Sequence, residues 1–373
     1  MLPFFTEYYG NPSSVYNFAQ KSKMAIEDAR EIIADSIGAA KSNEIYFTGG
    51  GSESDNWALK SAAFGLRNKG NHIITTKIEH HAILNTCAYL EKNGFEITYL
   101  DVDSEGFVSL EDVENAITEK TILISVMFAN NEIGTIEPVC EIGEIAHKHG
   151  ILFHTDAVQA MCHVPINVTE MNIDLLSASA HKFHGPKGVG FMYMKNSAKL
   201  EPFIHGGAQE RARRAGTSNV PGIVGMGQAV KLALSTLDKD THTIINMRNY
   251  IVDRILGEIP DVTFDGPCID ANAVSAGSPA GSLKRLPSNM HFCFKDVSGD
   301  SLLIMLDMNG ICASSGSACA AGSIDPSHVL LAIGRSKGET KGALRLSIDK
   351  NLTKEDADYA IDALKAAVAR LRG

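Results

Sequence analysis

Ser177-Ala178-Ser179-Ala180-His181-Lys182-Phe183-His184-Gly185-Pro186-Lys187-Gly188 is the stretch from which the rest of the chain is read. It follows the apolar run 173–176 and closes on Gly-Pro, which predicts a buried strand over 174–178 with Lys182 in the turn just beyond. A lysine in such a turn is by default a solvated surface residue. It becomes something else only if other reactive groups arrive beside it.

Working outward, the same rhythm recurs. Short apolar runs at 45–47, 72–76, 96–100, 121–128, 151–155, 174–178 and 189–194 read as buried strands. Helical spacing fills most intervals, at 53–66, 82–92, 109–117 and 142–149, and precedes them at 16–37, where Gly38 is a stop. This alternation predicts an α/β fold, a mainly parallel seven-stranded sheet with helices on both faces. From 220 to 256 the pattern is long and helical. The small, polar stretch 270–282 then predicts a mobile loop. Strands at 290–294, 311–313 and 343–348 and helices at 300–308 and 326–333 follow. A final helix opens on the capping box Thr353-Lys354-Glu355-Asp356. We therefore expect a large domain over 1–235 and a smaller α+β C-terminal domain over 236–373.

The 373 residues carry a formal charge of −10, which argues against a nucleic-acid partner needing a basic stripe. No apolar run approaches the roughly 20 residues that span a bilayer, so no membrane association is expected. Residues 1–7 lack a basic n-region and a long apolar segment, so no signal peptide is expected. Seven scattered cysteines (87, 140, 162, 268, 293, 312 and 319) without paired spacing suit free thiols in a reducing cytoplasm.

In an open α/β sheet, ligands bind outside the carboxyl ends of the strands. After the first strand come Gly49-Gly50-Gly51-Ser52 and a helix start, where backbone N–H groups and the Ser52 hydroxyl suit an anion; the ordinary alternative is a glycine turn with Ser52 as cap. His80, past the second strand, is either a surface residue or a ring that lies against an aromatic cofactor. Asn130-Asn131-Glu132-Ile133-Gly134 is turn chemistry or a polar subsite. Asp156 ends the fifth run with Gln159 one turn on, and a carboxylate there is a helix cap or the partner of a pyridinium N–H. Ser179, His181 and Lys182 follow the sixth. Each ordinary reading stands alone. Together, an anion cradle, a stacking histidine, a carboxylate and a lysine amine at one sheet edge are the parts of a pyridoxal phosphate (PLP) site, with Lys182 as its Schiff-base lysine.

Those stretches also resemble the NifS/IscS-type cysteine desulfurases of the class V aminotransferase superfamily, over nearly the whole chain. The motifs are Gly-Asn-Pro-Ser-Ser (10–14), Gly-Gly-Ser-Glu-Ser-Asp-Asn (50–56), Glu-His (79–80), Asn-Asn-Glu-Ile-Gly (130–134), Asp-Ala-Val-Gln (156–159) and Ser-Ala-His-Lys (179–182). Gly-Pro-Lys-Gly (185–188), Gln-Glu-Arg (209–211), Arg-Ala-Gly-Thr (214–217), Ser-Ser-Gly-Ser-Ala-Cys (314–319) and Arg-Leu-Ser (345–347) continue them. The resemblance implies the PLP fold type I and a role at each matched position. Lys182 corresponds to the cofactor lysine, Asp156 to the partner of the ring nitrogen, Gln159 to that of the ring hydroxyl, and His80 to the stacked histidine. Gly51, Ser52, Ser179 and His181 correspond to phosphate ligands. Thr217 corresponds to a threonine that reaches the neighbouring subunit's phosphate, which implies a homodimer. Asn131 and Arg345 correspond to the residues holding the substrate carboxylate, and an arginine fork suits that task.

Cys319 corresponds to the nucleophile. Its serine- and glycine-bearing surroundings predict an exposed, mobile loop where a thiolate can form, whereas Cys87, Cys140, Cys162, Cys293 and Cys312 read as buried small hydrophobes. The implied reaction is PLP-dependent removal of sulfur from L-cysteine, giving L-alanine and a Cys319 persulfide. The sulfur passes to an acceptor protein such as an Fe–S scaffold. Two alternatives stand beside it: a selenocysteine lyase or related class V aminotransferase, and a shortened non-catalytic paralogue acting as a binding subunit. The second rests on the strand and turn that the family carries ahead of the segment matching Met1-Leu2-Pro3. Tyr16 in place of the family's histidine, Gly50-Gly51-Ser52 in place of Gly-Ala-Thr, and Asp349 in place of glycine are further departures.

Overall fold

The computed structural model describes residues 1–269, 283–315 and 326–373, which divide into two compact units. The first comprises 1–100, 109–128 and 137–237; the second comprises 101–108, 129–136 and 238–373. Each is built from several chain segments, whereas the expected domains 1–235 and 236–373 were single stretches.

In the first unit the order is α1 (Pro3–Thr6), α2 (Asn17–Ser36), β1 (Ile45–Thr48), α3 (Gly51–Gly65), β2 (His72–Thr76), α4 (His81–Glu91) and β3 (Glu96–Leu100). Then come α5 (Leu110–Asn115), β4 (Thr121–Ser125), α6 (Val139–Lys148), β5 (Leu152–Asp156), β6 (Leu175–Ser179), β7 (Gly190–Met194), α7 (Gln209–Ala212) and α8 (Val220–Leu234). The seven strands form one sheet in the order β1-β7-β6-β5-β4-β2-β3. All neighbours run parallel except at β7, which is antiparallel to both β6 and β1. Consecutive buried residues along β2, β4 and β6 explain their unbroken apolar character, because both faces of the sheet are covered. One core gathers Trp57, Leu59, Ala62, Ile73, Ile83, Leu90 and Leu123. Buried Trp57 satisfies its indole N–H by donating to the carbonyl of Glu201 at 2.9 Å.

The second unit contains α9 (Leu237–Glu258), β8 (Val262–Phe264), β9 (Asn289–Phe294), α10 (Gly299–Asp307), α11 (His328–Ala332), β10 (Ala343–Ser347) and α12 (Lys354–Arg372). Its sheet is antiparallel, in the order β10-β9-β8. Met290, Phe292, Phe294 and Leu344 face a core closed by Ile251, Ile255, Leu302, Leu364 and Val368. Strand alternation turns Asn289, His291, Cys293 and Arg345 to the opposite face. The capping box of α12 forms as expected.

Several expectations shift. The 220–256 helix is two helices, α8 and α9. Residues 311–313 form no strand; the chain makes a single bridge, Ser314 with Arg345. Strand β8 was not anticipated, since three residues between Asp261 and Asp265 are too short to show a period. The expected loop 270–282 lies outside the described residues. Among the described residues, no single helix is long and apolar enough to cross a membrane.

Candidate active site

The carboxyl edge of the first unit's sheet assembles most of the anticipated residues. Ser179 is the last residue of β6, and Ala180–Phe183 make one 3-10 turn that presents exposed Lys182. His184, left-handed at φ 62°, ends that turn, and the Gly185 N–H closes it on the Ala180 carbonyl at 2.8 Å. Ser179 Oγ and His181 Nδ1 lie 2.9 Å apart. The start of α3 approaches the same place. Gly50 has φ 149°, a conformation open to glycine, and a Cβ on it would sit 3.5 Å from Ser179 Oγ. A Cβ on Gly51 would fall 2.6 Å from Val158 Cγ2 and 3.8 Å from Ser179 Cβ. Ser52 is exposed in the first turn of this 15-residue helix, whose first N–H groups have no intrahelical partner. Thr217 is exposed and lines a cavity of about 170 Å³ with Thr48, Gly49, Gly188 and Arg214. Arg214 pairs with Glu53 at 2.8 Å, also in the first turn of α3.

Asp156 closes β5 and is buried, with Oδ1 accepting from the Val158 N–H at 2.9 Å. Burial pushes its carboxyl up to about 6, against the Val158 hydrogen bond and the charge of Lys182, both of which lower it. Asp156 and Lys182 are thus within electrostatic reach of each other. Gln159 is half-buried one turn on. His80 caps α4, its Nδ1 accepting from the Ala82 N–H at 3.1 Å. That bond leaves the ring proton on Nε2 and fixes the ring's orientation.

The sequence reading missed what lies behind Asp156. His154 is fully buried between Ser125 Oγ at 2.9 Å and Ser177 Oγ at 3.0 Å, and burial holds it neutral, its pKa pushed down to about 3. Asp55 Oδ1 lies 3.8 Å from His154 Nε2. Burial and then the charge of Asp156 drive the Asp55 carboxyl well above the ordinary range, against a hydrogen bond from Ser177. A signal was present: His154, Ser125 and Ser177 are polar residues inside otherwise apolar strands.

In the second unit, Asn130 makes the turn. Its Oδ1 accepts from the N–H groups of Glu132 at 2.8 Å and Ile133 at 3.1 Å. The Asn131 carbonyl accepts from Arg345 Nη1 at 3.0 Å and from Asn289 Nδ2 at 3.4 Å, so Asn131 and Arg345 are brought together. Cys319 lies outside the described residues.

The donor set of the first unit fits a phosphorylated pyridine aldehyde. A glycine-lined helix start with two hydroxyls suits the phosphate, a buried carboxyl at the strand end suits a ring N–H, and an exposed lysine suits an imine. The chain belongs to the aminotransferase class-V family, whose model matches residues 1–360. Within it, the chain is 54% identical over 372 residues to cysteine desulfurase IscS of Clostridium botulinum, covering 100% of this chain and 90% of that one. It is 51% identical over 372 residues to the IscS of Methanosarcina thermophila, covering 100% and 88%. Among solved structures, a NifS-like protein matches with TM-score 0.89 and 36% identity over 99% of this chain and 94% of that one. SspA in complex with cysteine matches with TM-score 0.78 and 38% identity over 94% of each.

Proposed function

We propose that this chain is a cysteine desulfurase that takes sulfur from L-cysteine and leaves L-alanine, with PLP as cofactor. The observation that carries the reading is the meeting of Lys182 with buried Asp156 at the sheet edge, in a chain 54% identical over its full length to cysteine desulfurase IscS. Relatives carrying the name cysteine desulfurase favour this reading over a selenocysteine lyase or related aminotransferase and over a non-catalytic paralogue.

When bound, PLP supplies an electron-accepting ring next to the substrate's α-carbon. Asp156, ionised, would accept the ring N–H and keep the ring positive, while Gln159 would bond its hydroxyl. His80, oriented by its cap bond to Ala82, stacks on the ring. The first turn of α3 with Gly51 and Ser52, together with Ser179 and His181, holds the phosphate, and Thr217 serves that of the partner in a homodimer. Asn131 and Arg345 hold the substrate carboxylate. The Lys182 amine would hold the cofactor aldehyde and would serve as the base for the substrate's Cα proton. The Cys319 thiolate attacks the substrate sulfur: an S–S bond forms and the Cβ–S bond breaks. Its electron pair stays with the carbon skeleton, which takes up protons and departs as alanine. The Cys319 persulfide passes its sulfur to an acceptor such as an Fe–S scaffold protein, in the cytoplasm.

The test is sulfide and alanine release from cysteine by the PLP-loaded protein with a thiol reductant. Wild type is expected to release both, and Cys319→Ser to keep bound cofactor while releasing no sulfide. Full release by Cys319→Ser would remove Cys319 as nucleophile; none by wild type would remove the whole reading.

A further inference from the structure

The polar face of the second unit's sheet carries a row of residues drawn from four separate parts of the chain. Phe264 pairs with Phe292 and the Asp265 N–H donates to the His291 carbonyl at 3.0 Å, so Asp265 stands beside His291. His291 pairs with Arg345, and Arg345 bridges to Ser314, exchanging backbone bonds of 2.6 and 3.2 Å. Because Arg345 spends its N–H and C=O on Ser314, its pairing with His291 is of the non-hydrogen-bonded kind. In such pairs the Cα atoms lie about 4.5 Å apart and side chains on the shared face are close.

His291 is wholly buried and is gripped from one side. Its Nδ1 donates to Asp265 Oδ2 at 2.8 Å, and Asp265 Oδ1 is in turn fixed by Arg335 at 2.6 Å. Cys293 Sγ also donates to Asp265 Oδ2, at 3.2 Å. Asp265 accepts through both oxygens and is ionised, so Nδ1 carries a proton. The opposite ring nitrogen, Nε2, is buried without a hydrogen-bond partner among the described residues. That orphaned nitrogen is costly to bury, and it belongs to the ring placed directly across from the arginine that matches the substrate-carboxylate residue. The cluster Asp265, His291 and Cys293 has ligand atoms within 4.8 Å, but Arg335 and the Nδ1 proton already occupy the carboxylate that a cation would need.

We propose that His291, held by Asp265 and Arg335, is a positioning residue for Arg345, limiting its guanidinium to the orientation that receives the substrate's carboxylate. This rests on the reading of Arg345 given above. His291 touches no reacting atom. The ring lies beside the Arg345 side chain on the shared face of the sheet, and the Asp265 clamp prevents it from turning away. Losing the ring nitrogens should loosen Arg345 without altering the chemistry of sulfur removal.

The experiment compares L-cysteine with cysteamine, which has the same thiol and amine but no carboxylate, in the PLP-loaded full chain. His291→Phe is expected to raise KM for cysteine at least 5-fold with kcat within 2-fold, and to leave cysteamine binding, read from the cofactor's absorbance, unchanged. His291→Asn, which keeps a donor for Asp265 and a carbonyl oxygen, should restore most of the loss. Arg345→Leu is the control for the underlying reading: it should weaken cysteine but not cysteamine. If it weakens both equally, Arg345 is not a carboxylate residue and that reading falls. If Arg345→Leu discriminates but His291→Phe only lowers the melting temperature, the positioning role falls and His291 is structural.

Discussion

Asp156 and Asp265 are both buried aspartates at or just past the end of a strand, and their surroundings drive them in opposite directions. Burial pushes Asp156 up to about 6, against the Val158 amide on one oxygen and the charge of Lys182, with the acids Asp55 and Glu79 nearby. For Asp265 burial would also raise the carboxyl, but His291, Arg335 and Cys293 outweigh it and leave it below the ordinary value. The difference separates a carboxylate whose partners outweigh its burial from one whose partners do not. A saturated group stabilises by what it already binds. An under-partnered one costs stability until something else arrives.

The largest effect should come from breaking the saturated one. Asp265→Ala leaves the buried His291 Nδ1 and Cys293 Sγ without their acceptor and, among the described residues, Arg335 with only Glu339, at 3.5 Å, as counter-charge, and losing one partner of a buried pair costs about 3–5 kcal/mol. We expect a urea midpoint lowered accordingly at pH 7. The pH dependence has a defined sign. A carboxyl whose folded pKa lies below its unfolded value stabilises above the unfolded pKa and loses that contribution as pH falls through the folded one. Wild type should therefore lose more stability than Asp265→Ala as pH drops below about 4. Parallel pH profiles would mean that Asp265 is not the anchor described.

Asp156→Asn should act the other way in cofactor-free protein. With the folded pKa near 6 and the unfolded one at 3.8, the folded state holds its proton more tightly. The wild-type fold therefore loses stability as pH rises from about 4 to about 6 and stays lowered above that. Two pKa units correspond to roughly 3 kcal/mol. The variant should recover up to that much at pH 7 in urea unfolding while losing affinity for PLP. A variant less stable than wild type without cofactor would show that Asp156 carries no such burden.

The two aspartates also differ in how far the sequence announces them. Asp156 closes an apolar run, and Lys182 and Ser179 follow another, so a strand period and a sheet-edge rule suffice to bring them together. Residues 265, 291, 335 and 345 meet only through an antiparallel register, one member of which is the three-residue β8, too short to show alternation. Segments 101–108 and 129–136 join the second unit through pairings such as Thr135 with Arg285, which no local pattern reveals. Local periodicity reaches what one strand does; it does not reach which distant strand lies beside it.

The smallest effect tests strain rather than charge. Glu210, Arg211 and Ala212 are all left-handed, at φ 44°, 58° and 60°, and non-glycine residues there cost about 1–2 kcal/mol each. Glu210 is compensated: Arg30 donates to both its carboxylate oxygens at 2.8 and 2.9 Å, and the Phe47 N–H donates at 3.1 Å. Exposed Ala212 has only its methyl group, and no comparable tie. Ala212→Gly should therefore stabilise the fold by about 0.5–1 kcal/mol, the relief at φ 60° exceeding the extra entropy glycine brings to the unfolded chain. Glu210→Gly relieves the same kind of strain but surrenders the Arg30 pair, and should destabilise. Opposite signs for the two glycines in urea unfolding are the expected result. If both destabilise, unfolded-chain entropy governs this turn; if both stabilise, the Arg30–Glu210 pair contributes less than the backbone it holds.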